Sequence, residues 1–171
     1  MIVLNLINQT NSDLKILSSK KQELLNISKK IVHTINDFEN IKGRHYVSLI
    51  IVNEDKIHEI NKLYRNIDRP TDVISFANID DIENEETKYG YPVELGDVFI
   101  CLEYVIKQAE EYEHSYLREF SFLLAHGILM HVDKMSNQLK GDHQNEEDAK
   151  VMFEKQEKVL NFLKITRDKR G

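Results

Sequence analysis

The stretch YLREFSFLLAHGILM, residues 116–130, constrains this chain more than any other. It is polar only at its start and then almost uniformly apolar, with none of the strict alternation of a half-buried strand. A helix that is apolar all round has no solvent face, so it must run through the centre of a packed domain. Ser115 stands immediately before it, where a helix cap belongs. The rest of the chain then has to supply the layers that cover it. With 171 residues the chain is long enough for one domain with a substantial core.

Those layers are legible. IVLNLI at 2–7, HYVSLIIVN after the turn at Gly43, the short apolar segment 72–76 and VELGDVFICL all read as strands. A helix is expected over about 19–38, opened by a Ser19–Gln22 capping box and buried through Leu24, Ile27, Ile31, Ile35 and Phe38. Asn53 caps a second, with Ile57, Ile60, Leu63 and Tyr64 on its apolar side. A third covers 102–113. Asn145 or Asp142 caps a last one, with Glu146, Glu147 and Asp148 in its first turn and Met152, Phe153, Gln156, Val159, Leu160 and Leu163 on its apolar face. NIDDIENEETKYGYP is acidic and turn-rich and reads as an exposed loop. The expectation is a single α+β domain over residues 1–165, a mixed sheet of four strands packed with five helices, followed by a basic, frayed tail at 166–171.

Charge and targeting narrow the function class. The formal net charge is -6, so the basic excess that usually marks a nucleic-acid binder is missing overall, and any such surface must be a local patch. There is no signal-peptide pattern and no apolar run long enough to span a bilayer. Cys101 is the only cysteine, which rules out an intrachain disulfide and fits a reducing cytoplasm. Its apolar surroundings mark it as a buried structural thiol.

Three of the seven histidines lie in AHGILMHVDKMSNQLKGDH, residues 125–143. His126 sits inside the apolar helix, where a lone histidine is more often a hydrogen-bonded core residue than a ligand. Gly127 beside it costs a helix interior about 1 kcal/mol, so something must approach the backbone there, a strand or a substrate. A helix presents two metal ligands together when they stand four residues apart, and four residues after His126 comes Met130, not a histidine. His131 is one step late. It rejoins His126 only if the helix bulges by one residue, or ends near Gly127 or Leu129. His143 follows on a loop, with Asp133 and Asp142 as oxygen ligands or orienting partners, or as plain solvated carboxylates. A second constellation, YRNIDRPTDVISF at 64–76, places Arg65 and Arg69 on a loop entering a buried strand. Guanidinium groups pair with phosphate in a bidentate manner, though two loop arginines often serve only solubility.

YRNIDRPTDVISF, then ELGDVFIC, then LLAHGIL…GDH, in that order, resemble the YbeY family of bacterial endoribonucleases and ribosomal-RNA maturation factors, and the likeness spans nearly the whole chain. It implies a compact zinc-hydrolase-like α+β fold around one Zn²⁺ per chain. It implies cleavage of single-stranded RNA, maturation of the 3′ end of small-subunit ribosomal RNA, and ribosome quality control. The small ribosomal subunit and its RNA are the implied partners, with ribosomal proteins as further candidates, in the cytoplasm; neither membrane nor DNA is expected. The family's metal motif, H-G-x-L-H followed by G-Y-D-H, is matched by His126, Gly127 and Leu129 at its start and by Gly141, Asp142 and His143 at its end. Arg65 occupies the place of the family's functional arginine. The middle departs: Met130 stands at the second histidine's position, seven residues are inserted before His143, and the tyrosine is missing.

Two readings follow. In the first, His126, His131 and His143 hold zinc, His126 and Arg65 are catalytic, and Arg65 and Arg69 bind the RNA phosphates. In the second, the chain has lost the zinc site and is a catalytically impaired protein that binds the ribosome or its RNA.

Overall fold

The computed structural model describes residues 1–9, 15–77, 93–135 and 146–167. The elements run β1 (Ile2–Asn8), α1 (Lys15–Phe38), β2 (His45–Val52), α2 (Glu54–Arg65), β3 (Val73–Ala77), β4 (Val93–Cys101), α3 (Leu102–Glu111), α4 (Tyr116–Met135) and α5 (Glu146–Phe162). The four strands form one sheet in the order β1-β2-β4-β3. β1, β2 and β4 are parallel, and β3 joins β4 antiparallel as an edge strand. The α+β architecture with a mixed sheet is as the sequence predicts.

The sheet separates two cores of unequal size. On one face, α1, α4 and α5 build the main core with residues such as Leu49, Val98, Leu124 and Ile128. On the other, α2 covers a small cluster of Ile50, Val52, Ile57, Ile60, Ile74 and Cys101. β2 is buried at every position from Leu49 to Val52, because helices lie on both of its sides. Helix α4 packs against α1, α3, α5, β3 and β4, which makes it the central element its composition predicts.

Caps and glycines position the pieces. Asn53 accepts a hydrogen bond from the Lys56 amide at 2.9 Å, and Ser115 Oγ accepts one from the Arg118 amide at 3.1 Å. Helix α1 starts at Lys15, so Ser19 lies inside it and the expected capping box is not its beginning. The expected caps Asn145 and Asp142, the acidic loop 78–92 and the tail 168–171 lie outside the described residues.

The polar opening of α4 is not a solvent face. Arg118 is buried, donating to the Ile165 carbonyl and to Glu157, each at 2.7 Å. Glu119 is buried against His114 at 2.6 Å, and burial pushes its carboxyl pKa up. Gly96 sits at φ +138° beside a register irregularity between β2 and β4. A Cβ there would lie 2.0 Å from the Phe76 carbonyl oxygen, so only glycine lets β3 pair with β4 at this point.

Candidate functional site

Helix α4 carries the first candidate group to the middle of the domain. Gly127 is where it meets the sheet: a Cβ would stand 2.6 Å from Val98 Cγ1 of β4 and 3.1 Å from Ser75 Oγ of β3. The Ser75 hydroxyl donates to the Gly127 carbonyl at 3.4 Å. The glycine therefore answers to strands, one of the two causes its sequence position allows.

His126, one residue earlier, turns toward α5. Its Nδ1 lies 2.5 Å from the side-chain amide nitrogen of Gln156. With that N–H donating, Nδ1 accepts and the imidazole carries its proton on Nε2. If Gln156 instead presents its oxygen, the proton moves to Nδ1 and Nε2 is left with a lone pair. Gln156, which the sequence places only on the apolar face of the last helix, is thus a hydrogen-bond partner of His126.

His131 has a different environment. α4 continues as regular α-helix to Met135, with neither a bulge nor an end near Gly127 or Leu129. Five residues of α-helix rotate His131 about 140° from His126. That puts it on the Gly127 stripe facing β4, while Met130 shares the stripe of His126. His131 is 1% exposed, its Nε2 donates to the Asp97 carbonyl at 3.2 Å, and its Nδ1 is buried without a hydrogen-bond partner among the described residues. Burial drives its pKa down to about 4, so the ring is neutral.

A zinc centre needs three protein ligands converging on one point. His131 offers a neutral imidazole with one unsatisfied lone pair, which suits a metal. His126 lies on another stripe, however, and the two do not form a clip. Among the described residues no group of three or more His, Cys, Asp or Glu side chains is placed to share an ion. His143 and Asp142 lie outside the described residues. Asp133 is neither a loop residue nor solvated: it is buried on α4, and Lys155 of α5 donates to it at 2.9 Å. The two described members of the expected three-histidine site, His126 and His131, thus stand on different stripes of α4.

The second constellation is well built. α2 ends at Asn66, which adopts the left-handed conformation (φ 58°) and turns the chain toward β3. Buried Asn61 organises the turn: its amide donates to the Arg69 carbonyl at 2.8 Å, and its oxygen lies 3.5 Å from an Arg65 terminal nitrogen. Asp72 then anchors the start of β3 by accepting from the Val73 amide at 2.7 Å and from Gln108 at 3.3 Å. Arg65 and Arg69 are both exposed, and neither forms an ion pair among the described residues. The loop thus brings Arg65 and Arg69 together, on the α2 side of the sheet, whereas His126 belongs to the α4 side. Asn61 and Gln156 escape sequence reasoning because a buried amide has no signature along the chain. Gly96 had one, a glycine inside a strand. Cys101 is fully buried with its thiol pKa pushed up to about 11, as a structural thiol should be.

Fold and site together define an α+β protein in which a central helix bearing an imidazole meets an edge strand, with a paired-arginine loop at that strand's entry. The family model described as Endoribonuclease YbeY matches residues 6–164. The Endoribonuclease YbeY of Staphylococcus saprophyticus is 42% identical over 139 residues, covering 81% of this chain and 86% of that protein. The Endoribonuclease YbeY of Oenococcus oeni is 40% identical over 162 residues, 91% of this chain and 99% of that one. The solution structure of TM1509 from Thermotoga maritima superposes with a TM-score of 0.50 at 28% identity, covering 95% and 93% of the two chains. The chain belongs to the YbeY endoribonuclease family.

Proposed function

We propose that this protein is a single-strand-specific endoribonuclease acting in ribosomal-RNA processing, at the 3′ end of small-subunit RNA, and in ribosome quality control. The observation that carries this reading is the family match over residues 6–164, which includes the whole arginine loop. Arg65 and Arg69, without carboxylate partners among the described residues, are the groups that take the RNA phosphates. Arg65 also offsets the charge that builds on phosphorus during cleavage. His126, hydrogen-bonded to Gln156, is the group that moves a proton. No catalytic step is assigned to the zinc centre that the family likeness implies, because His143, its third expected ligand, lies outside the described residues.

One observation favours a second reading, an RNA- or ribosome-binding protein with impaired catalysis. On the unbroken helix Met130, and not His131, shares the stripe of His126, and a thioether is a poor ligand for zinc.

Incubation of purified protein with an RNA ending in the small-subunit 3′ region, alongside elemental analysis for zinc, separates the two. Cleavage by the wild type that falls at least about tenfold in Arg65→Ala supports the enzyme. Binding of the RNA without cleavage, at well under one zinc per chain in zinc-supplemented buffer, establishes the binding protein. Neither binding nor cleavage overturns both.

A further inference from the structure

The end of α2 takes little part in either core. Tyr64 follows buried Ile60 by one helical turn, yet it is 68% exposed. It is nevertheless held in place. Its ring meets Phe76 of β3 edge to face at 5.4 Å, and Phe76 meets Phe99 of β4 in the same manner at 5.8 Å. This three-ring ladder ties an outward aromatic to the sheet, so little rotamer freedom is left to lose on binding.

A single exposed tyrosine is ordinary. This one has a particular setting. Arg65 is the next residue and Arg69 lies across the Asn61-pinned turn, both exposed and neither neutralised by a carboxylate among the described residues. The nearby carboxylate Asp68 is engaged by His58 at 2.7 Å and by Lys62 at 3.6 Å. An anchored ring flanked by guanidinium groups that no described carboxylate pairs meets both needs of a single nucleic-acid strand: a face on which a base stacks and cations for the phosphates. In a chain of net charge -6, such a cluster is the local patch that binding requires.

Register places this patch relative to α4. In edge strand β3, Ser75 contacts Gly127 of α4, and Phe76, the next residue, supports Tyr64 on the opposite face. A strand of RNA crossing the β3 edge would pass from the tyrosine to the vicinity of the helix that carries His126.

We propose that Tyr64 is a base-stacking platform for single-stranded RNA, working with the phosphate contacts of Arg65 and Arg69. The proposal rests on the RNA reading above and adds to it a residue that contacts bases.

The test is equilibrium binding of a short fluorescent oligoadenylate and of the same ribose-phosphate chain without bases, across a salt series. The wild type should bind the oligoadenylate about tenfold more tightly than the abasic chain. Tyr64→Ala should lose about tenfold for the oligoadenylate, little for the abasic chain, and keep the salt slope. Tyr64→Phe should bind like the wild type. Arg65→Ala should weaken both ligands alike and lower the salt slope by about one. Circular dichroism establishes that each variant is folded, which the exposure of Tyr64 favours. Measurable oligoadenylate binding that Tyr64→Ala leaves unchanged overturns the platform while the RNA reading stands. No binding of either ligand by the wild type at low salt overturns the RNA reading and the platform with it.

Discussion

The two faces of the sheet are built on opposite principles. The α4 face is closed: Gly127 lies against Val98, His131 is sealed beneath the helix, and even Arg118 and Asp133 are buried in ion pairs. The α2 face is thin, with a small cluster beneath it and with Tyr64, Leu63, Arg65 and Arg69 exposed beside it. A closed face is intolerant of displacement, so a change of one position along α4 moves a side chain from one neighbour to another. Met130 and His131, consecutive on α4, are such a case: one shares the stripe of His126 and the other faces β4. An open face tolerates substitution and is free to bind.

The contrast can be broken most severely at Gly96. Gly96→Ala places a Cβ against the Phe76 carbonyl at a φ that L-residues rarely adopt, so it should destabilise by about 4 kcal/mol or more. Urea denaturation of a soluble variant near wild-type stability would show that β3 can shift and that this junction is not rigid.

His131 sharpens the comparison through pH. Its folded pKa, about 4, lies below the ordinary 6.5, so the unfolded chain takes up the proton more readily. Its contribution is therefore complete above about pH 6.5 and is lost as pH falls toward about 4, up to about 3 kcal/mol. His131→Leu should remove this part of the pH dependence, read as the difference in urea midpoint between neutral pH and the lower end of that window. Identical pH slopes in the two proteins would mean that the ring is not a sealed neutral imidazole.

Gly127→Ala is milder. A gain of about 1 kcal/mol in helix propensity opposes about 1–3 kcal/mol of overpacking against Val98, for a net loss of about 1 kcal/mol in thermal or chemical denaturation. A stabilised variant would show that the α4–β4 contact yields easily. On the α2 face, Tyr64→Ala should change stability by only about 0.5 kcal/mol, the worth of one largely exposed ring contact. A loss comparable to a core truncation would make that face part of the packing and not a free surface.

Much of the frame was legible because it depends on local patterns. The apolar run at 116–130 marked the central helix, β-branched runs marked the strands, and Asn53 and Ser115 marked helix starts that the hydrogen bonds bear out. The start of α1 was misplaced because its helix continues upstream of a plausible cap. Leu63 and Tyr64 matched the buried periodicity of α2 and are exposed. Asp133 looked like a loop residue and is a buried partner of Lys155, a pairing that spans two helices.

By itself the sequence determined the element order, the buried character of α4, the family and the presence of two arginines in one loop. Each of these follows from periodicity, composition or motif, which are properties of neighbouring residues. Only the tertiary structure decided which stripe of α4 faces which neighbour. The continuity of the helix, and not the spacing of its histidines, sends His126 toward Gln156 and His131 toward Asp97. It also decided that Tyr64 stands out from the fold on a ladder of rings from three separate elements, a contact set by strand register and chain reversal.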